Sequence, residues 1–138
     1  MCKYEHLITT TAKKEKIWSL WTHISEWNHW DNSIQHATLE GPFAQGTMGS
    51  ITLHSGRIIP VTITQIDHLK SFTMISKFPF FRLTFIYEMH PIINGVKITH
   101  RVLCSGVLSF LFSWFVGKKM NRNMPIALRN LATKAEQK

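Results

Sequence analysis

The chain has 138 residues, of which 44% are hydrophobic and 12% aromatic, so it can form a core and differs in composition from disordered proteins. Its formal charge is +8, but the positive residues are scattered and no zinc-finger, RNP or basic-zipper pattern accompanies them, so nucleic-acid binding is not predicted. The apolar run at 106–116 is shorter than the roughly 20 residues that cross a bilayer, which excludes stable membrane insertion.

The number of domains and the cellular compartment are predicted from the absence of linkers, from the cysteines and from the N-terminal residues. No repeat, linker or low-complexity segment interrupts it, and we predict one domain over residues 1–138. Cys2 lies at the N-terminus and Cys104 in a strand-like run, so a disulfide scaffold is not indicated and a reducing compartment fits. The N-terminal residues lack the apolar segment of a signal peptide, and we predict a cytoplasmic location.

The first quarter of the chain predicts a strand followed by two short helices. Residues 4–10 alternate as a strand does. An amphipathic helix is predicted next from apolar residues at helical spacing, namely Ile17, Leu20, Trp21 and Ile24. Ser25 is a candidate cap for a second helix, in which Trp27 and Trp30 share one face.

Strands and tight turns follow as far as residue 105. Ser55-Gly56 and Asn94-Gly95 are hairpin signals, and apolar and polar residues alternate on both sides of the second of them. We predict strands at 34–39, 47–54, 57–66, 71–78, 81–90 and 96–104. Because short turns join them, the sheet is predicted to be antiparallel.

The last third predicts one long helix over 106–136. Its main stripe recurs at three- and four-residue spacing and comprises Phe110, Trp114, Gly117, Asn121, Met124, Leu128, Leu131 and Ala135. A neighbouring stripe of Val107, Leu111 and Phe115 is also apolar. Gly117 and Pro125 both weaken a helix, so a bend between them is expected, with ligand entry at that point.

These elements predict an α+β fold in which a curved seven-stranded antiparallel sheet grips a long C-terminal helix, with two short helices between strands 1 and 2. Bulky side chains on the inner faces of the strands and helix are typical of a hydrophobic pocket, although the same residues suit a plain core. Met74, Phe85, Tyr87, Met89, Phe110, Trp114 and Met124 are the residues predicted to face that space.

The order of elements and the turn residues between them resemble the START-like (SRPBCC, helix-grip) superfamily, and within it the polyketide cyclase/dehydrase and lipid-transport group. The resemblance extends over nearly the whole chain and is carried by Ile17-Trp18, Trp27-Asn-His-Trp30-Asp31, Gly41-Pro-Phe, Gly46-Thr-Met-Gly49, the segment 94–106, Gly117-Lys-Lys and the segment 125–131. It implies an apolar cavity between the sheet and the C-terminal helix, entered between that helix and the loops of the sheet.

Two residues are candidates for chemistry in that interior. The strand phase places His100 among inward apolar residues, where an imidazole is able to act as a general base or hydrogen-bond a ligand carbonyl. Tyr87 would add a second polar group there, and a core histidine that a neighbour satisfies is the alternative interpretation. No metal-ligand spacing, phosphate loop or GxSxG element occurs, so neither a metal nor a cofactor is predicted.

Three functions remain open on the sequence. The first is binding or transport of a hydrophobic small molecule, such as a lipid or a polyketide-like compound. The second is a cyclase or dehydratase acting on such a ligand, and the third is a membrane-surface or protein-partner module, because Lys118, Lys119 and Arg122 follow the apolar run. The predicted ligand-binding residues are Trp27, Trp30, Met74, Leu83, Phe85, Tyr87, His100, Phe110, Trp114 and Met124.

Overall fold

The fold is built on one curved sheet. A computed structural model describes residues 2–112, 114 and 117–137. The seven strands are β1 (Cys2–Thr10), β2 (Ile34–Leu39), β3 (Met48–Leu53), β4 (Ile58–Asp67), β5 (Ser71–Phe78), β6 (Phe81–Ile92) and β7 (Gly95–Ser105). They are antiparallel in the order β1-β7-β6-β5-β4-β3-β2, so the first strand completes the sheet beside the last.

Helices are added at two points of the chain. Between β1 and β2 lie α1 (Lys14–Thr22) and a short 3₁₀ helix (Ile24–His29). After β7 come the single turn α2 (Ser109–Phe112) and the long α3 (Lys118–Glu136). The predicted fold class, a seven-stranded antiparallel sheet with a long C-terminal helix and two short helices between strands 1 and 2, is confirmed.

Alternation along β6 and β7 creates the inner face of the sheet. On β6, Leu83, Phe85, Tyr87 and Met89 are buried while the residues between them are partly exposed. The turn between β6 and β7 includes Asn94 at φ 64°, a left-handed conformation that asparagine tolerates better than most residues. The hairpin signal at Asn94-Gly95 therefore sets the register in which the inner residues of the two strands face each other.

α3 lies against the sheet through a stripe of buried residues at helical spacing, formed by Met124, Leu128, Leu131 and Ala135. Its C-terminal end is tied to β1, because the Thr10 hydroxyl donates to the carboxylate of Glu136. Its N-terminal end lies against β1 as well, at Gly117, where a β-carbon would clash with the Tyr4 hydroxyl. Both contacts hold the helix along the edge strand of the sheet.

The prediction of one continuous helix over 106–136 is wrong in its first third. Residues 106–108 form a bend and a turn, α2 is a single turn, and Trp114 and Gly117 are π-helical. Pro125, by contrast, lies inside α3. A π-helical turn holds more than the 3.6 residues of an α-helical turn, so each extra residue rotates the preceding segment by about 100° relative to α3.

That rotation overturns a predicted orientation. Phe110 and Trp114 were predicted to face the interior, but their side chains are 64% and 76% exposed. They share a stripe with Met124 only if the helix is α-helical throughout, and the π-helical turn breaks this alignment. Phe115, in the predicted neighbouring stripe, lies outside the described residues.

The structure pairs the two cysteines, which the sequence did not indicate. Cys2 and Cys104 are directly opposite each other on β1 and β7, with Cα atoms 5.0 Å apart, and a disulfide joins them. The sequence gives no sign of this pairing, because it depends on the first strand lying beside the last.

Candidate functional site

A row of aromatic side chains crosses the inner face of the sheet. Phe72, Tyr87, His100 and His6 are successive cross-strand partners on β5, β6, β7 and β1. The Phe72 and Tyr87 rings stack with centroids 4.5 Å apart, and the Tyr87 and His100 rings with centroids 4.2 Å apart. We call these four residues the interior row. Its alignment follows from the strand register, which brings residues of one face side by side.

Side chains from the helices cover the interior row on the side away from the sheet. Trp21 of α1 and Trp27 of the 3₁₀ helix lie 5.8 Å and 5.5 Å from Tyr87, measured between ring centroids. At the other end of the row, His6 Nε2 donates to Oδ1 of Asn121 on α3 at 2.7 Å. The row therefore contacts three helical segments as well as the sheet.

Four polar atoms in this apolar interior are buried without a hydrogen-bond partner among the described residues. They are His100 Nε2, Ser76 Oγ, Trp21 Nε1 and Trp30 Nε1. Trp27 shows the usual situation, since its Nε1 donates to the backbone oxygen of Trp21 at 3.1 Å. Buried polar groups nearly always have partners, and four exceptions in one interior call for an explanation.

Burial keeps Tyr87 and His100 of the row neutral. The pKa of His100 is lowered to about 3, first by burial and second by the neighbouring charge of His6. The pKa of Tyr87 is raised, first by burial and second by the negative charge of Asp31. At neutral pH His100 is therefore an uncharged imidazole with one donor and one acceptor nitrogen.

Asp31, just after the 3₁₀ helix, is the acidic group near the row. Burial raises its pKa, while two hydrogen bonds from Ser33 lower it. The Ser33 hydroxyl and backbone N–H donate to Oδ1 of Asp31 at 2.6 Å and 3.0 Å. Burial is the larger effect, so this carboxyl group holds its proton more tightly than a solvated one.

The structure brings eight of the ten predicted ligand-binding residues into the interior. His100 is partly buried with Nε2 enclosed, and seven others are buried: Trp27, Trp30, Met74, Leu83, Phe85, Tyr87 and Met124. The predicted inward phase of His100 is confirmed by its stacking on Tyr87. Phe110 and Trp114 are the two that lie outside.

Sequence reasoning missed several residues that contact the row or contribute an unpartnered atom, namely His6, Trp21, Asp31, Phe72, Ser76 and Asn121. Alternation along β1 and β5 gives a signal for some of them, because His6 shares the phase of Tyr4 and Ile8, and Ser76 that of Phe72 and Met74. Asn121 belongs to the predicted stripe of the C-terminal helix, but the stripe does not identify it as the partner of His6, since that contact depends on how α3 lies along β1.

The interior is largely filled by these side chains. Two clefts in the described part of the chain, of about 310 Å³ and 480 Å³, are open to solvent. The smaller is lined by residues at the end of β5, the start of β6 and the end of β7, and the larger by residues 11–15, 91 and 94–96. Neither is lined by any of the ten predicted residues. A ligand in the interior would need aromatic side chains to move aside.

Within residues 2–112, 114 and 117–137, no group of three His, Cys, Asp or Glu side chains is placed to hold a metal ion. Among the same residues no helix has the length and apolar character needed to cross a membrane.

Residues 1–136 match the model of the family described as polyketide cyclase/dehydrase and lipid transport. No protein with a curated description has a matching sequence. Similar solved structures include Ara h 8.0201 (TM-score 0.74, 15% identity, 97% of each chain) and the hypothetical protein jhp0584 from Helicobacter pylori (TM-score 0.79, 10% identity, 98% of this chain and 88% of that chain). The di-domain ARO/CYC StfQ from the steffimycin biosynthetic pathway is also similar (TM-score 0.75, 12% identity, 97% of this chain and 50% of that chain). At these identities the likeness shows a shared fold.

Proposed function

Because the chain belongs to the polyketide cyclase/dehydrase and lipid transport family, we propose that it binds a hydrophobic small molecule bearing oxygen substituents, of lipid or polyketide type. The proposed site is the interior between the sheet and α3, around the interior row. The observation that carries the proposal is the set of unpartnered polar atoms in an otherwise apolar interior. Ligand sites are typically apolar with a few polar groups that orient the ligand.

The chemistry of these atoms defines the ligand. Indole N–H groups are donors only, so Trp21 Nε1 and Trp30 Nε1 require acceptors such as carbonyl, carboxylate or hydroxyl oxygens. Neutral His100 and the Ser76 hydroxyl are able to donate or accept. The stacked rings of Phe72 and Tyr87 suit an apolar body, and a flat one most of all.

Binding is favoured over catalysis by the protonation states of the row. A general base works best when its pKa lies near the operating pH, and a pKa of about 3 makes His100 a weak base. Tyr87, whose pKa is raised, is a correspondingly weak acid. Both groups are better suited to hold one hydrogen-bonding pattern than to exchange protons, so cyclase or dehydratase chemistry is the less supported alternative.

The test compares three probes: palmitate, anthraquinone and anthracene. Anthraquinone and anthracene share a flat ring system, and only anthraquinone has carbonyl oxygens. We expect anthraquinone to bind more tightly than anthracene, measured by quenching of tryptophan fluorescence and by the rise in unfolding temperature. His100→Phe keeps a ring stacked on Tyr87 and removes Nε2, so it should weaken anthraquinone binding roughly fivefold, as the loss of one hydrogen bond does.

Two further variants make the result specific. Ser76→Ala removes a second unpartnered atom and should also weaken anthraquinone binding, whereas His36→Gln changes an exposed histidine on β2 and should not. Anthracene binding should be the same in all of them. If no probe binds at its solubility limit, or if His100→Phe and Ser76→Ala bind anthraquinone as the unmodified protein does, the proposed site is wrong.

A further inference from the structure

Five large hydrophobic side chains are exposed together where β5 turns into β6 and β7 leads into α2. Val107 lies in the turn before α2, Phe110 and Leu111 in α2, Trp114 shortly after it, and Phe80 in the adjacent turn. Val107 and Phe80 are 74% and 69% exposed. We call these five residues the apolar patch. Single exposed hydrophobic residues are ordinary, but a group of this size marks an interaction surface.

The backbone holds the two parts of the apolar patch together. The N–H of Leu108 donates to the carbonyl oxygen of Phe80 at 3.1 Å. Gly106, at φ 109°, lets the chain pass directly against that carbonyl, and a β-carbon there would clash with it. The exposed side chains are thus presented by a defined contact between the β5–β6 turn and the end of β7.

The apolar patch is flanked by positive charge on two sides. Lys77 and Arg82 are directly opposite each other on β5 and β6, and Lys118, Lys119 and Arg122 are exposed at the start of α3. We call these five residues the basic rim. Segments 77–82 and 105–122 contain no Asp or Glu, and no residue of the rim forms a salt bridge with a described residue. Like charges placed opposite each other on a sheet are unfavourable, so an anionic partner would stabilise this arrangement.

We propose that the apolar patch and the basic rim form a docking surface for anionic lipid bilayers. Trp and Phe side chains favour the membrane–water interface, where an apolar body meets a polar headgroup layer. Lys and Arg beside them attract anionic lipids, and the two contributions together give reversible peripheral binding. The inference rests on this surface alone and does not require a ligand in the interior.

Charge also argues against a second copy of the chain as the occupant. A symmetric dimer through the apolar patch would place each patch against itself, with ten unpaired positive groups around one interface. A bilayer containing anionic lipid covers the same apolar area and supplies the negative charge as well.

Trp114 reports directly on docking. The other four tryptophans, Trp18, Trp21, Trp27 and Trp30, are buried. Mixing the protein with phosphatidylcholine vesicles that contain phosphatidylserine should move the tryptophan emission to shorter wavelength, and brominated lipids should quench it. Cosedimentation should be stronger at low salt than at high salt and much weaker with phosphatidylcholine alone.

Variants separate the two contributions. Phe110→Ser with Trp114→Ser should lower partitioning into anionic vesicles roughly tenfold or more by removing apolar contact. Lys118→Gln with Lys119→Gln should lower it roughly fivefold per lysine. The controls are Ile93→Ser, at the opposite end of β6, and Lys13→Gln with Lys14→Gln before and at the start of α1, all exposed in the structure.

Unchanged unfolding temperatures of the patch variants would show that they fold, since the altered side chains are exposed. Three results would overturn the proposal: no cosedimentation with anionic vesicles at low salt, equal losses in patch and control variants, or a dimer in solution that the Phe110/Trp114 double variant dissociates. Retained binding in the controls together with loss in both patch variants would support it.

Discussion

Replacing Trp27 with alanine is expected to lower the free energy of unfolding by about 3–5 kcal/mol. Its side chain is 1% exposed and lies 5.5 Å from both Trp30 and Tyr87, measured between ring centroids. Truncation would leave a cavity beside the interior row and remove the donor to the backbone oxygen of Trp21. Chemical denaturation followed by circular dichroism should show the loss, and the unfolding temperature should fall by about 10–20 °C.

Trp114→Ala is the matched control for this experiment. It removes the same side chain from a position that is 76% exposed, so the free energy of unfolding should change by no more than about 0.5 kcal/mol. A large loss of stability in Trp114→Ala would show that its side chain packs inside, as the continuous stripe predicts. Similar small changes in both variants would mean that Trp27 is not part of the core.

The strands were predictable because their inner faces are apolar over many residues. Alternation across β6 and β7, together with the Asn94-Gly95 turn, fixes both the pairing and the inward phase of Tyr87 and His100. The predicted ranges 81–90 and 96–104 lie within the observed strands. A slip of one residue would expose the whole apolar set, so few other arrangements were open to this segment.

The segment before α3 was not predictable on the same grounds. A helical stripe identifies which residues share a face only while the turn is α-helical, and the π-helical turn at Trp114 and Gly117 changes that spacing. Gly117 lies directly against the Tyr4 hydroxyl of β1, more than a hundred positions earlier in the chain. The position of α3 along the edge strand therefore depends on a tertiary contact that no local pattern encodes.

The candidate site, like the fold, was predictable only in part. Sequence alternation identified which side chains enter the interior, but not whether they line a space or fill it, since that depends on the curvature of the sheet and the depth of the helices. The absence of a hydrogen-bond partner for His100 Nε2 among the described residues likewise depends on the exact positions of all the surrounding side chains. Tyr87, the other predicted polar residue of the interior, lies beside His100, and the two rings stack. The contact between Tyr87 and His100 was predictable, but its form, ring stacking and not a hydrogen bond, was not.

His100 should also make stability depend on pH between about 6.5 and 3. Above pH 6.5 its imidazole is neutral in both the folded and the unfolded chain, so its contribution is constant. Below pH 6.5 the unfolded chain takes up a proton, while the folded chain, in which the pKa is about 3, does not. The contribution of the neutral His100 to the free energy of unfolding is therefore complete above pH 6.5. It is lost as pH falls, by about 2 kcal/mol between pH 7 and pH 5.

His100→Phe isolates this contribution, because phenylalanine keeps the stacked ring and does not titrate. Asp31, whose pKa is raised, acts in the opposite direction, but it is present in both proteins and cancels in their difference. Denaturation curves at several pH values should therefore show the free energy of unfolding of His100→Phe rising relative to that of the unmodified protein. The expected change in this difference is about 2 kcal/mol as pH falls from 7 to 5. His36→Gln, at an exposed position, should run parallel to the unmodified protein. If His100→Phe also runs parallel, the imidazole titrates freely in the fold, and the neutral His100 on which the proposed site depends is wrong.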